Sequence, residues 1–284
     1  MPEPRPPPAL IFAYDASLHG DWVAHYAIRF AASRDPRRLR LIHVQGDPPV
    51  PQLDARLARI AAECEVLGVA LDSEVVAGRD ADVTDRLLAL APPGAIVVTG
   101  TRARPRARSF LVGTATARLM AAGRIGVIAM RIVHPGVLGQ PNRVLLPIAD
   151  DDAAAARALP LLHLLGTDLD RVHVALIRER SALRTWLSSA DARQRVWVHD
   201  AAHLAAVEEA LRRGLAPLHP HLDGSMVVTT DRAREVALTA ARHHTRLIGV
   251  DATLGIGARW PRRAPLEQLL RLAPADVAIY RGLS

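Results

Sequence analysis

The chain has 284 residues, half of them apolar, which suits two domains with separate cores better than one. Its longest apolar runs are strand-sized and far short of the ~20 residues a membrane span requires, so membrane insertion is excluded. The net charge is +7 and all 36 basic residues are arginine, which rules out a P-loop lysine or a Schiff base.

The arginines are spread evenly between the halves, so neither half is a basic arm for nucleic acid. Locally they are not even: from Arg86 to Ala149 there are nine arginines and no acid, a setting in which an anionic ligand meets little repulsion. Only Phe110 offers an aromatic there, so base stacking is not expected. Cys64 is the single cysteine, so no intrachain disulfide forms and a cytoplasmic setting is favoured. It lines up with Leu57, Ile60 and Leu67 on one helical face, as a small core residue would.

In chain order, residues 1–8 are a proline-rich leader with no apolar segment, expected to be a disordered tail and not a secretory signal. Strands are expected at Ala9–Tyr14, Arg38–Val44, Leu71–Ala77, Ala95–Thr99 and Gly126–Arg131. Between them, helical spacing covers Asp21–Ala32, Leu53–Leu67, Asp82–Leu90 and Ala115–Ala122. Strands joined by helix-length crossovers imply a parallel sheet covered on both faces.

The series then repeats. Arg143–Ile148, Arg171–Ile177, Leu222–Val228, Thr245–Val250 and Ala275–Arg281 match the five strands, at an offset of 134 residues for the first and 150 for the last. The extra length falls around Arg178–Asp200, before a helix expected at Ala201–Leu215. This is a domain duplication, 9–133 and 141–284, with 134–140 as linker.

Chemistry is suggested after the fourth strand of the first half. Gly100 ends that strand at the carboxyl edge, where open α/β sheets bind ligands. Gly113-Thr114 opens the next helix, so bare backbone N–H groups and the positive dipole end form a ready anion site. Arg102, Arg104, Arg106 and Arg108 lie between, either solvated or touching phosphate.

This stretch resembles the ATP-binding branch of the universal stress protein family, which carries Gly-x-x-Gly, nine residues, then Gly-Ser/Thr. Gly100, Gly113 and Thr114 fall at the family's spacing, while its second glycine is Ala103 here, narrowing the approach to phosphate. The resemblance implies that Asp15 and Val44 face the nucleoside, and that Thr99, Arg102, Ala115 and Thr116 also line the nucleotide. Asp15 could instead cap the turn after the first strand, or join a Mg²⁺ ion to the triphosphate.

The fold so implied is two tandem doubly wound five-stranded parallel sheets of order 3-2-1-4-5, adenine nucleotide α-hydrolase-like. The implied function is an ATP-binding stress-response regulator, working as a homodimer or on a regulatory protein partner. A nucleotide-free interaction module, acting on a transporter or kinase, is the alternative. No catalytic motif points to an enzyme, and slow ATP hydrolysis stays open.

The second half departs from the motif. Asp15 aligns with Ala149, and Arg262 or Arg263 stands where Gly113 would be, so no nucleotide is expected there. His219, His221, His243 and His244 form two clusters without the carboxylate or cysteine spacing of a metal site, and surface histidines are expected.

Overall fold

The structure is a computed structural model that describes residues 8–47, 50–78, 83–101, 114–137, 141–179, 190–254 and 265–282. The chain divides into two compact units, Met1–Gly139 with Tyr280–Ser284, and Gln140–Ile279.

In the first unit β1 (Leu10–Tyr14), β2 (Arg38–Gln45), β3 (Ala70–Ala77), β4 (Ile96–Gly100) and β5 (Gly126–Arg131) alternate with α1 (Leu18–Ala32), α2 (Leu53–Val66), α3 (Val83–Leu90) and α4 (Ala115–Ala122). The strands stand in the order β3-β2-β1-β4-β5, with parallel ladders throughout. β1, β4 and β5 are near-continuous apolar runs because they are covered on both faces, while β3 at the edge alternates toward solvent. Ile11, Phe12, Ile28, Phe30, Leu41 and Ile128 are fully buried, each stabilising the core by ~1.5–3 kcal/mol. Helix α1 begins at Leu18, three residues before the Asp21 read from helical spacing. Ser17 is its N-cap, and the Ser17 hydroxyl accepts from the Gly20 N–H at 3.0 Å.

The second unit repeats the plan with β6 (Arg143–Ile148), β7 (Arg171–Glu179), β8 (His221–Thr229), β9 (Leu247–Asp251) and β10 (Asp276–Arg281). Its order is β10-β9-β6-β7-β8, again 3-2-1-4-5. The helices are α5 (Ala154–Leu165), α6 (Ala190–Gly214), α7 (Arg232–Arg242) and α8 (Pro265–Leu272). Each set of five strands is therefore doubly wound as expected, with α1 against α2 and α3 against α4, then α5 against α6 and α7 against α8.

Helix α6 departs furthest from its sequence expectation. α6 starts at Ala190, eleven residues before the Ala201 read from periodicity, and takes in half of the extra segment. No helix among the described residues is long and apolar enough to cross a membrane.

Candidate functional site

The carboxyl ends of β1, β2 and β4 in the first unit meet at one edge, set by register. Ala13 pairs with Thr99 and with Ile42, and Tyr14 pairs with His43. One residue further on, Asp15 leaves β1 beside Val44, which is still in β2, and Gly100 is the last residue of β4. Four of the expected residues are thus brought together: Asp15, Val44, Thr99 and Gly100.

Asp15 is exposed and its carboxylate works locally. Oδ1 accepts from the Ser17 N–H at 3.1 Å and from the Ser17 hydroxyl at 2.6 Å, fixing the turn into α1. Ala16 takes a left-handed conformation at φ 53° to make that turn. Val44 is half-buried beside Gly78, where a β-carbon would come within 2.7 Å of Val44 Cγ1.

The start of α4 is the anion-facing element. Thr114 is its N-cap, nearly buried, and its hydroxyl accepts from the Ala117 N–H at 3.2 Å. That cap leaves the first N–H groups of the helix, at Ala115 and Thr116, outside any intrahelical bond. The Thr116 hydroxyl donates to the Gly100 carbonyl at 3.4 Å, tying the end of β4 to the start of α4. Thr101 is buried, and its N–H donates to the Met130 carbonyl at 2.8 Å. Both anchor points of the arginine loop are therefore fixed. Arg102, Ala103 and Gly113 themselves lie outside the described residues.

Three residues at this edge carried no signal in the sequence. His19, in the first turn of α1, packs over Gly100, where a β-carbon would stand 3.0 Å from its ring. Its Nε2 lies 3.3 Å from the Met130 carbonyl. The bare backbone of Gly100 is thus used by an imidazole. His43 is buried, with Nδ1 2.9 Å from the Tyr14 carbonyl and Nε2 buried without a hydrogen-bond partner among the described residues. The Tyr14 hydroxyl donates to Asp21 at 2.5 Å, and Arg56 and Arg59 also donate to Asp21, which binds β1, α1 and α2 into one network. Burial first, and then the Asp21 carboxylate, push the Tyr14 phenol above its ordinary value, so it stays a neutral donor.

The same edge of the second unit is filled by its own charges. Asp251 stands at the place of Gly100, is buried, and takes two bonds from Thr253 at 2.8 Å and one from Arg157. Arg157 also donates to Asp151 at 2.6 Å. Arg178 at the end of β7 donates to both oxygens of Asp200 at 2.6 Å and to Asp150 at 2.8 Å. The Arg178 hydrogen bond holds the Asp150 carboxyl below its ordinary value, and the Arg157 bond, followed by the Ala153 N–H, does the same for Asp151. Arg262 and Arg263 lie outside the described residues.

No family model and no curated protein matches the sequence. Solved structures do match over nearly the whole chain. A universal stress protein from Archaeoglobus fulgidus aligns with 95% of this chain and 97% of its own at 14% identity and a TM-score of 0.56. A second protein named for that family, from Pseudomonas aeruginosa, aligns with 95% of this chain and 92% of its own at 14% identity and a TM-score of 0.53. The cytoplasmic domain of a prokaryotic cation chloride cotransporter covers 96% of this chain and 95% of its own at 10% identity and a TM-score of 0.56. At such identities the likeness is one of fold.

Proposed function

We propose that this chain, which has the tandem fold of universal stress proteins, is a regulator whose first unit binds an adenine nucleotide and whose second unit does not. One observation carries the reading. Asp15, Val44, Thr99 and Gly100 lie at one sheet edge, where Thr116 ties Gly100 to the start of α4, while the matching edge of the second unit holds Asp251 and its arginine in the place of Gly100. Asp15 and Val44 are the residues that would meet the nucleoside, and Asp15 is the carboxylate a nucleotide-bound Mg²⁺ would reach. The N–H groups of Ala115 and Thr116, with Gly100, Arg102, Ala103 and Gly113, would take the phosphates. In the second unit a phosphate would face carboxylates, which repel it.

Bound nucleotide would act through the end of β4 and the start of α4, biasing self-association or the grip on a protein partner in the cytoplasm. The first test is the nucleotide content of purified protein after denaturation, followed by ATP titration calorimetry. One site per chain is expected, lost in Gly113→Arg. No affinity at millimolar ATP would end this reading.

A second reading, a nucleotide-free interaction module, draws on the His19 ring over Gly100 and on the cotransporter domain among the similar structures. It predicts no nucleotide in the preparation and none bound on titration.

A further inference from the structure

We infer that the second unit holds a divalent transition-metal ion of the zinc class between His173, Asp223 and His243. The juxtaposition comes from the sheet register and one helix end. β7 and β8 are parallel with His173 directly opposite Asp223. Side chains two apart on a strand share a face, so Asp223 and Ser225 both flank the His173 ring. The third residue, His243, is the C-cap of α7, the helix that packs over β7, and its ring stacks on His173 with centroids 3.6 Å apart. One ligand atom from each of the three lies within 4.8 Å of the others.

The polar atoms in this cluster are short of partners. His173 is 3% exposed, and its Nε2 lies 2.9 Å from the Ser225 hydroxyl. Its Nδ1 is 3.2 Å from Asp223 Oδ1, yet both atoms are buried without a hydrogen-bond partner among the described residues. A buried nitrogen and a buried carboxylate oxygen left so close and unbonded are costly unless something else satisfies both. A cation in the lone-pair directions does this. The Ser225 hydroxyl would then fix the ring as its Nε2–H tautomer and aim the Nδ1 lone pair at the ion, as outer partners of metal-binding histidines do.

Two imidazoles and one carboxylate suit zinc or its first-row neighbours rather than calcium or magnesium. A tetrahedral ion with bonds of ~2.0–2.2 Å holds its ligand atoms about 3.3 Å apart, so the site must tighten on binding. His243 is half-buried at a helix end and is the residue able to turn. The three protein ligands leave the remaining coordination position to water.

The test uses the full chain, freed of metal by chelation. Equilibrium dialysis should give one Zn²⁺ per chain, and Co²⁺ should develop the visible absorption of a tetrahedral site. His243→Ala and Asp223→Asn should each weaken Zn²⁺ binding by about tenfold or more and abolish the Co²⁺ band. Because His173→Ala opens the core, those two variants decide the matter, and far-ultraviolet circular dichroism checks their folding. No retained Zn²⁺ overturns the inference. So does Zn²⁺ binding that both variants keep, which would place the ion on the surface histidines His219, His221 and His244. ATP affinity is a separate measurement, so either proposal can fail without the other.

Discussion

Gly20 has no side chain because Asp15 needs its space: a β-carbon on Gly20 would stand 2.4 Å from Asp15 Oδ1 and 3.2 Å from the Tyr14 ring. The oxygen in question is the one that accepts both bonds from Ser17. Alanine in a helix is ordinarily favoured over glycine by about 1 kcal/mol. Here the gain should be cancelled, because the carboxylate must leave its turn. We expect Gly20→Ala to destabilise the wild type and to be less harmful in an Asp15→Ala background, with a coupling on the order of 0.5–1 kcal/mol. Urea unfolding of the four proteins measures it, and strict additivity would refute it.

Thr114 should matter to stability and to ligand alike. Its hydroxyl caps Ala117, and losing such a cap costs about 1 kcal/mol. Thr114→Ala should therefore lower the unfolding midpoint and weaken ATP binding together, while Thr114→Ser restores both. Recovery of stability without recovery of affinity would separate the helix start from the nucleotide.

The Cys64 thiol should be inert in the folded protein. It is 1% exposed, and burial, followed by the Glu63 carboxylate, pushes it up to about 11. A disulfide reagent at pH 8 should react with it only at the rate of unfolding, and at once in denaturant. Rapid labelling of native protein would contradict the packing of α2.

Acid should weaken the second unit through its ion pairs. Asp150 and Asp151 have folded values below the ordinary 3.8. Their contribution is complete above that value and is lost as the pH falls through the depressed folded values. At neutral pH, Arg178→Met should cost about 3 kcal/mol, because it leaves the nearly buried Asp200 without its partner. The part of the gap owed to Asp150 should narrow as the pH falls below 3.8. A gap that stays constant with pH would show that lost packing, not charge, is responsible.

Much of this architecture was legible from the chain alone, for reasons that can be named. Runs such as Gly126–Arg131 and Arg143–Ile148 are apolar at every step because both faces are covered, and punctuation bounds them. Gly100 was singled out because strand ends in a parallel sheet share a carboxyl edge, whereas Asp15, Val44 and Thr99 came only from the family resemblance, and the register puts all four at that edge. The start of α6 was not. Gln194, Arg195, Trp197, Val198 and His199 are all exposed, so that turn of helix has no apolar stripe to read. Nor was the His173–Asp223–His243 cluster, since its members are joined only by register and by a helix crossing. The sequence drew attention instead to histidines that are neighbours in the chain.

The contrast between Gly100 and Asp251 has a consequence for control. A crevice that takes a diffusing ligand reports that ligand's concentration. One neutralised by Asp251 and Arg157 carries its counterion on the same chain, at a local concentration no metabolite can alter. The edge of the second unit therefore keeps its charge partner whatever the solution around it contains.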